Sequence, residues 1–387
     1  MPRMILPAMP WRTALAALML AVFPAFCPVQ TALAQGVPQA QPVPQPGTAP
    51  ASVFVVSGVA VDASADSSAA ARPVALAQGQ RRAFTQLLQR LTLIEDRGRL
   101  PQPTEALLND TIAGFEIDEE RTSATRYLGR ITVRFRPEAV RQLLQNQRLG
   151  YAEVQSRPIL LLPVWQTAEG AKLWEADNPW RDAWKRRAEP DGLVPFMIAE
   201  ASTAPEALPI DRLLVDSAQL SLLARQRNAG ETLVVAASPV SPEGAGARVE
   251  IFPYFDADEA SDHRLEPFVA QGATMEEALA SAASELARRV ENRWKRATRL
   301  DLDKPGQISV AAGFKSLADW VKLRDKLAEV PSIRRLEVLR LTHRDAQVQL
   351  GFFGEPQQLS VALAQKDVEL RQRDGFWELG LRGTLKP

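Results

Sequence analysis

The stretch Gln307–Leu381 decides the fold of the carboxyl-terminal part of the chain, and it reads QISVAAGFKSLADWVKLRDKLAEVPSIRRLEVLRLTHRDAQVQLGFFGEPQQLSVALAQKDVELRQRDGFWELGL. Four segments alternate apolar and polar residues, and two segments between them repeat with helical period. The predicted order is β-α-β-β-α-β, which is the ferredoxin-like split-βαβ pattern. Asp374-Gly375 is a hairpin signal and predicts an extra strand behind it. The predicted elements are Gln307–Phe314, Leu317–Glu329, Ile333–Leu341, Ala346–Phe352, Pro356–Ala364, Val368–Gln372 and Phe376–Leu381.

The first helix of this stretch has a clear start. Ser316 and Asp319 are spaced as a capping box, in which each of the two side chains accepts a hydrogen bond from the backbone N–H of the other residue. Apolar residues at helical spacing follow and predict one face that packs on the sheet. That predicted core face comprises Leu317, Trp320, Val321 and Leu327.

Upstream, residues 156–300 read as a central α/β module. The run Ile159–Val164 is apolar at every position and predicts a strand buried on both faces. Gly230 ends a helix predicted near Asp211–Asn228. Two strands and a long amphipathic helix follow, and the acidic segment Asp256–His263 lacks the glycine and glutamate of a calcium loop, so it reads as a solvated loop. The strands and helix are Thr232–Ser238, Ala247–Phe255 and Met275–Arg296.

Tryptophan is concentrated in this central module. Asn178 is a suitable helix N-cap and Pro179 a suitable first residue, so Trp180 and Trp184 lie on one helical face. Clustered indole rings can bind a sugar or a partner protein, while the same spacing equally serves core packing. The candidate partner or ligand contacts are Trp165, Trp174, Asn178, Trp180 and Trp184.

Residues 51–150 predict a β-α-β-β-α module. Its helix begins with Pro73 in the first turn, and Gly79 in that helix indicates a close approach to a neighbouring backbone. Arginines on the outer face of the last strand lie opposite an acidic row, which favours cross-strand ion pairs over a phosphate or lipid site. The predicted elements are Ser52–Asp62, a helix from Pro73 to Leu93, Phe115–Arg121, Arg126–Arg136 and Glu138–Gln147.

The amino terminus predicts export. Residues 1–34 have a basic start, an apolar run too short to span a bilayer and the cleavage pattern Ala32-Leu33-Ala34. Residues 35–50 form a Pro/Gln-rich linker. Cleavage removes Cys27, the one cysteine, so the mature chain would be cysteine-free and periplasmic, without a transmembrane helix. Altogether we predict an α+β protein of three small α/β sandwich-like modules at 51–150, 156–300 and 305–385, the last ferredoxin-like.

Composition excludes several function classes. The chain has 46 basic and 46 acidic residues, which is not the basic footprint of a nucleic-acid-binding protein. Two histidines, His263 and His343, and no mature cysteine leave no set of His or Cys ligands for a metal. No nucleophile elbow, P-loop or dinucleotide fingerprint is present. We therefore expect no cofactor and no enzyme activity, although a carboxylate-dependent hydrolase stays open.

Four motifs together resemble a known bacterial family. They are Ala75-x3-Gly79-x3-Ala83 in the first helix, the strand from Tyr127 to Phe135, the run Arg157–Val164, and Asn178-Pro179-Trp180. This pattern is similar to the family labelled domain of unknown function 2066, and the resemblance implies an exported envelope protein without an assigned activity. The central module also resembles the N-terminal domain of the Tol–Pal-associated TolB protein and of related outer-membrane assembly lipoproteins, which implies assembly work.

These observations predict a periplasmic interaction or assembly factor of the cell envelope, acting on envelope protein partners and not on nucleic acid. The alternative is a protein that binds a glycan or small ligand through the Trp165–Trp184 region. A closed pocket would favour the alternative, and a flat exposed surface would favour partner contacts.

Overall fold

Three β-sheets with their own helices make up the computed structural model, which describes residues 51–187, 192–200, 217–240, 246–255, 265–301 and 304–385. The predicted signal peptide, the linker, the loop Asp256–His263 and the first part of the Asp211–Asn228 helix lie outside the described residues. The α+β class is confirmed, while the module boundaries stay a prediction.

Fourteen named strands and eight α-helices lie within the described residues. The strands are β1 Val55–Ser64, β2 Ile112–Thr122, β3 Arg126–Phe135, β4 Ile159–Thr167, β5 Gly170–Lys172, β6 Phe196–Ile198, β7 Glu231–Val240, β8 Ala247–Phe255, β9 Phe268–Gly272, β10 Pro305–Gly313, β11 Ile333–Leu341, β12 Asp345–Phe353, β13 Val368–Arg373 and β14 Phe376–Leu381. The helices are α1 Ser68–Leu91, α2 Glu105–Thr111, α3 Pro137–Asn146, α4 Pro179–Arg186, α5 Ser217–Gln226, α6 Met275–Thr298, α7 Leu317–Ala328 and α8 Pro356–Ala364.

The first sheet is antiparallel in the order β1-β3-β2, and α1 packs on one face. Helix α1 begins earlier than predicted, because the Ser67 side chain accepts from Ala70 N–H at 3.2 Å and caps the helix, so Pro73 lies in the second turn. The close approach predicted at Gly79 is to side chains: a Cβ there would stand 2.4 Å from Val61 Cγ1 and 2.8 Å from Ile131 Cδ1.

The outer face of the first sheet carries the predicted ion pairs. Arg134 pairs with Glu116 across β2 and β3. A register shift between Ile117 and Glu119 skips Asp118 and brings Glu119 opposite Arg130. The bulge adds one residue to β2 and therefore changes which carboxylates face the arginines.

The second sheet has the order β5-β4-β7-β8-β9, with β6 also paired to β4. Strand β4 is parallel to β7 and is buried from Ile159 to Trp165, as the apolar run predicts. One face of the sheet packs against α4 and α6, and the other packs against α5. Helices on both faces explain why β4 has no polar side. Strand β9 has no counterpart among the predicted elements.

The third sheet contains the predicted β-α-β-β-α-β order with an extra strand, but its strand order is β11-β12-β10-β14-β13. A ferredoxin-like sheet would place the fourth strand beside the first. Here β14 lies between them, antiparallel to β13 and parallel to β10. The tight turn at Asp374 and Gly375, with φ of 49° and 82°, folds β14 back along β13 and into that position.

Helix α7 shows the predicted cap, since Ser316 Oγ accepts from Asp319 N–H at 3.2 Å. Its core face differs from the prediction. Trp320, Leu323 and Leu327 are buried against the sheet, whereas Leu317 and Val321 are exposed by 52% and 44%. The helix is therefore rotated, so that its buried stripe runs through Leu323.

Helix α6 connects the three sheets, and the described residues from 51 onward belong to one compact unit. Trp294 packs against all three of the cores that belong to these sheets, and its indole Nε1 donates to Val154 O at 2.6 Å. Lys295 Nζ donates to Gln89 O at 2.8 Å and ties α6 to α1. No helix in the described part of the chain is long and apolar enough to cross a membrane.

Candidate functional site

The predicted contact residues lie mainly inside the second sheet's core. Trp180 is fully buried, and Trp165 and Trp184 are exposed by only 8% and 3%. Asn178 is also fully buried, and Trp174 is partly buried. Their role in partner or ligand contact stays a prediction, and their burial favours the packing alternative.

Local hydrogen bonds explain this burial. Asn178 Oδ1 accepts from Arg181 N–H at 2.9 Å, while its Nδ2 donates to Pro163 O at 2.8 Å, so the cap also attaches α4 to β4. Trp180 Nε1 donates to Val235 O at 3.2 Å and meets Trp184 edge to face, with ring centroids 5.7 Å apart. The helix is thus held by an aromatic pair whose geometry is favourable in a core.

A different region provides a large cavity among the described residues. This basic cleft has a volume of about 680 Å³ and is formed by the start of β1, the end of α1, residues 192–196 and one face of α6. The cleft face of α6 follows helical spacing and comprises Ser284, Ala287, Arg288, Glu291, Asn292 and Lys295. The opposite stripe of α6 packs on the second sheet, so the helix is covered on two sides.

Lys295 is the buried ionisable residue of this face, and Glu291 beside it is half-buried with its oxygen Oε2 shielded from solvent. Burial lowers the pKa of Lys295 to about 8, and the nearby Glu291 carboxylate opposes that shift. Burial raises the pKa of Glu291, which is opposed by Lys295 and by the Val194 N–H that donates to Oε1 at 2.9 Å. Glu291 Oε2 is buried without a hydrogen-bond partner among the described residues. The pair therefore retains hydrogen-bonding capacity inside the cleft.

Most other cations at the end of α6 are engaged by carboxylates. Arg288 and Arg289 both pair with Glu285. Arg293 pairs with Glu231 and lies 3.9 Å from the ring centroid of Phe255, and Arg296 pairs with Glu95. Lys295 differs because its ammonium group donates to a backbone carbonyl, Gln89 O. The basic end of this helix is thus largely engaged in contacts within the fold, and Arg288 and Lys295 also line the cleft.

The tryptophan helix supports one wall of the cleft. Trp184 packs on Phe196 with ring centroids 5.3 Å apart, and the guanidinium of Arg187 lies 5.4 Å from both ring centroids. Phe196 and Arg187 line the cleft directly, whereas none of the tryptophans does. The region singled out by its sequence is therefore connected to the cavity indirectly, through one aromatic contact.

The lining of the cleft is basic and partly apolar. Glu291 is the only carboxylate among the described lining residues, so two-carboxylate hydrolysis has no second group there. Across the described residues, no group of three His, Cys, Asp or Glu side chains could hold a metal ion. Apolar side chains such as Val56, Val59 and Phe196 share the cleft with several cations. This combination fits a ligand with an apolar body and an anionic end.

Sequence reasoning missed Glu291 and Lys295, although a signal existed. Glu291 lies four residues after Ala287 and Lys295 lies four residues after Glu291, which is the spacing of a second stripe on the helix. An i, i+4 pair of opposite charge in a basic helix ordinarily indicates an exposed ion pair. Only the packing of α1 against this face makes it a cavity.

Comparison of the sequence with protein-family models finds no matching family, and comparison with curated proteins finds no match.

Proposed function

We propose that this chain is a non-enzymatic binding protein of the bacterial cell envelope whose basic cleft takes a small ligand with an apolar body and an anionic end. The observation that carries the proposal is the cleft of about 680 Å³, in which five of the six ionisable lining residues that the structure describes are cationic. Export and a periplasmic location belong to the same proposal and are supported by the signal-like sequence of residues 1–34.

The cleft is tested with 8-anilinonaphthalene-1-sulfonate, a fluorescent anion with an apolar aromatic body. We expect saturable binding of one molecule per chain. Ser284 is exposed and lines the cleft, so Ser284→Trp should fill the cavity without disturbing the core and weaken binding about tenfold or more. Ser281 is exposed on the same helix outside the cleft, and Ser281→Trp is the matched control.

The charge requirement is tested separately with N-phenyl-1-naphthylamine, the uncharged relative of that dye. Arg97 lines the cleft and is exposed, so Arg97→Gln should weaken binding of the sulfonate and leave the neutral dye unaffected. Equal affinities in Ser284→Trp and Ser281→Trp would show that the dye binds elsewhere and would reject the cleft as the ligand site.

A second function, contact with an envelope protein partner, is favoured by strand β11. This strand lies at the end of its sheet, and Val338, Leu339 and Leu341 on it are exposed by 42%, 51% and 48%. An open strand edge of this kind pairs with an extended segment of another chain. Three arginines against one glutamate on β11 favour an acidic segment.

A photo-crosslinking residue at position 339 tests this surface in periplasm. We expect one envelope protein to crosslink there and to be lost when Val338→Asp places a charge on the edge. Leu222 is 49% exposed on α5 and provides the control position. The same product from both positions would contradict partner contact at β11.

A further inference from the structure

A second cavity, separate from the basic cleft, is surrounded by arginines. It has a volume of about 260 Å³ and is lined by Arg148, Arg299 and Arg334 together with Gln145, Asp301 and Phe353. The three arginines come from distant parts of the chain: the turn after α3, the residue after α6 and strand β11. We call this cavity the arginine pocket.

The three arginines lack the partners that most arginines of this molecule have. In the described part of the chain none of the three forms an ion pair with a carboxylate. Arg299 Nε is buried without a hydrogen-bond partner among the described residues, and Arg334 lies 4.8 Å from the ring centroid of Phe353. Such guanidinium groups retain their donor capacity.

The backbone holds two of these arginines in place. Gly150 lies against Arg299, because a Cβ on this glycine would stand 2.1 Å from Arg299 Nε. Arg148 adopts a positive φ of 49°, which is uncommon for a side chain of this size and turns the chain sharply after α3. The backbone at Gly150 and at Arg148 therefore helps to position two of the three arginines.

The electrostatics of the pocket favour an anion. Three guanidinium groups and one carboxylate, Asp301, give the described lining a formal charge of +2. Like charges around a small cavity repel one another. A bound dianion offsets that repulsion and accepts hydrogen bonds from the guanidinium N–H groups. Guanidinium binds phosphate with two parallel hydrogen bonds, and a phosphate group offers more acceptor oxygens than a carboxylate, so it can accept from several arginines at once.

We propose that the arginine pocket binds a phosphate group, either free or carried by a larger molecule such as a phospholipid headgroup. Gln145 lies beside the arginines as a neutral donor. Because Arg148 follows the first sheet and Arg334 belongs to the third, the bound phosphate joins these two parts of the fold and stabilises their contact. This site is independent of the ligand proposed for the basic cleft.

Calorimetric titration with inorganic phosphate at constant ionic strength tests the site. We expect saturable binding of one phosphate per chain, weakened about tenfold or more in Arg148→Gln and in Arg334→Gln. Both residues are exposed, so neutral variants should fold. Arg344 is exposed on β11's neighbouring turn and does not line the pocket, and Arg344→Gln should bind phosphate as the unchanged chain does.

Vesicles distinguish the two sources of phosphate. Flotation with vesicles that contain phosphatidic acid, but not with phosphatidylcholine alone, and its loss in Arg334→Gln would identify a lipid headgroup. Binding of inorganic phosphate alone would identify a soluble phosphate. Absence of binding in both arms, or equal binding by all the arginine variants, would overturn the proposal. Ser284→Trp should leave phosphate binding unchanged, so failure here is distinct from failure of the cleft.

Discussion

Helix α4 and helix α6 pack on the same face of the second sheet, yet α4 buries an aromatic pair there, whereas the cleft face of α6 carries an ionisable pair. On α4, Trp180 is fully buried and its one donor is used by Val235 O. On α6, Lys295 is 7% exposed, and Glu291 beside it keeps a buried oxygen without a described partner. The rare residue type is thus packed into a core here, whereas the ordinary charged residues line the cleft that we propose as a ligand site.

The largest expected effect comes from the buried tryptophan of α4. Trp180→Ala removes a fully buried indole and its hydrogen bond, so the free energy of unfolding should fall by about 3–5 kcal/mol in urea denaturation. Trp174 is only partly buried in the same segment, and Trp174→Ala should cost clearly less. If both variants lost only a similarly small amount of unfolding free energy, the result would favour a binding role for the tryptophans over a packing role.

A smaller effect comes from the buried lysine on the cleft face of α6. Lys295 has a folded pKa of about 8 against 10.5 unfolded, so between these values the unfolded chain binds the proton more strongly. Stability contributed by this group should therefore rise with pH from about 8 to about 10.5, by on the order of 1–3 kcal/mol. Measuring unfolding at pH 8 and pH 10 in the unchanged chain and in Lys295→Met isolates that contribution.

The control for this pH dependence is another lysine. Lys322 is exposed on α7, and Lys322→Met should keep the full pH dependence of the unchanged chain. If Lys295→Met also keeps it, the ammonium group is not desolvated, and the cleft face of α6 resembles an ordinary helix surface.

The smallest effect comes from charges that are neither buried nor near a cavity. Glu116 and Arg134 pair on the outer face of the first sheet with side chains 60% and 54% exposed. A double-mutant cycle with Glu116→Gln and Arg134→Gln should give a coupling energy of a few tenths of a kcal/mol that decreases with salt. A coupling near that expected for buried pairs would remove the contrast with Lys295.

Much of the fold could be predicted because its signals are local. The apolar run at β4, the cap at Asn178 and the hairpin at Asp374-Gly375 each determine structure within a few residues. The position of β14 could not be predicted in this way, because strand order depends on pairing with β10, more than sixty residues earlier. The rotation of α7 likewise depends on tertiary packing.

The candidate sites were less predictable than the fold. The basic cleft joins residues 56–60, 86–97, Arg187, 192–196 and 284–295, and the arginine pocket likewise joins segments that are distant in sequence. No spacing rule relates such segments, since their proximity follows from how α6 crosses between the sheets. The tryptophans were predicted as contact residues because their side chains are large and clustered, and the same properties also suit a core.

The position of Trp294 on α6 has a consequence for how the chain loses its structure. One indole ring contributes to three separate cores, so melting any one sheet removes neighbours from the helix that the other two depend on. We therefore expect the sheets to unfold together in a single transition, with equal calorimetric and van't Hoff enthalpies, despite their separate cores. A single transition would then follow from the shared helix α6, without a large hydrophobic interface between the sheets.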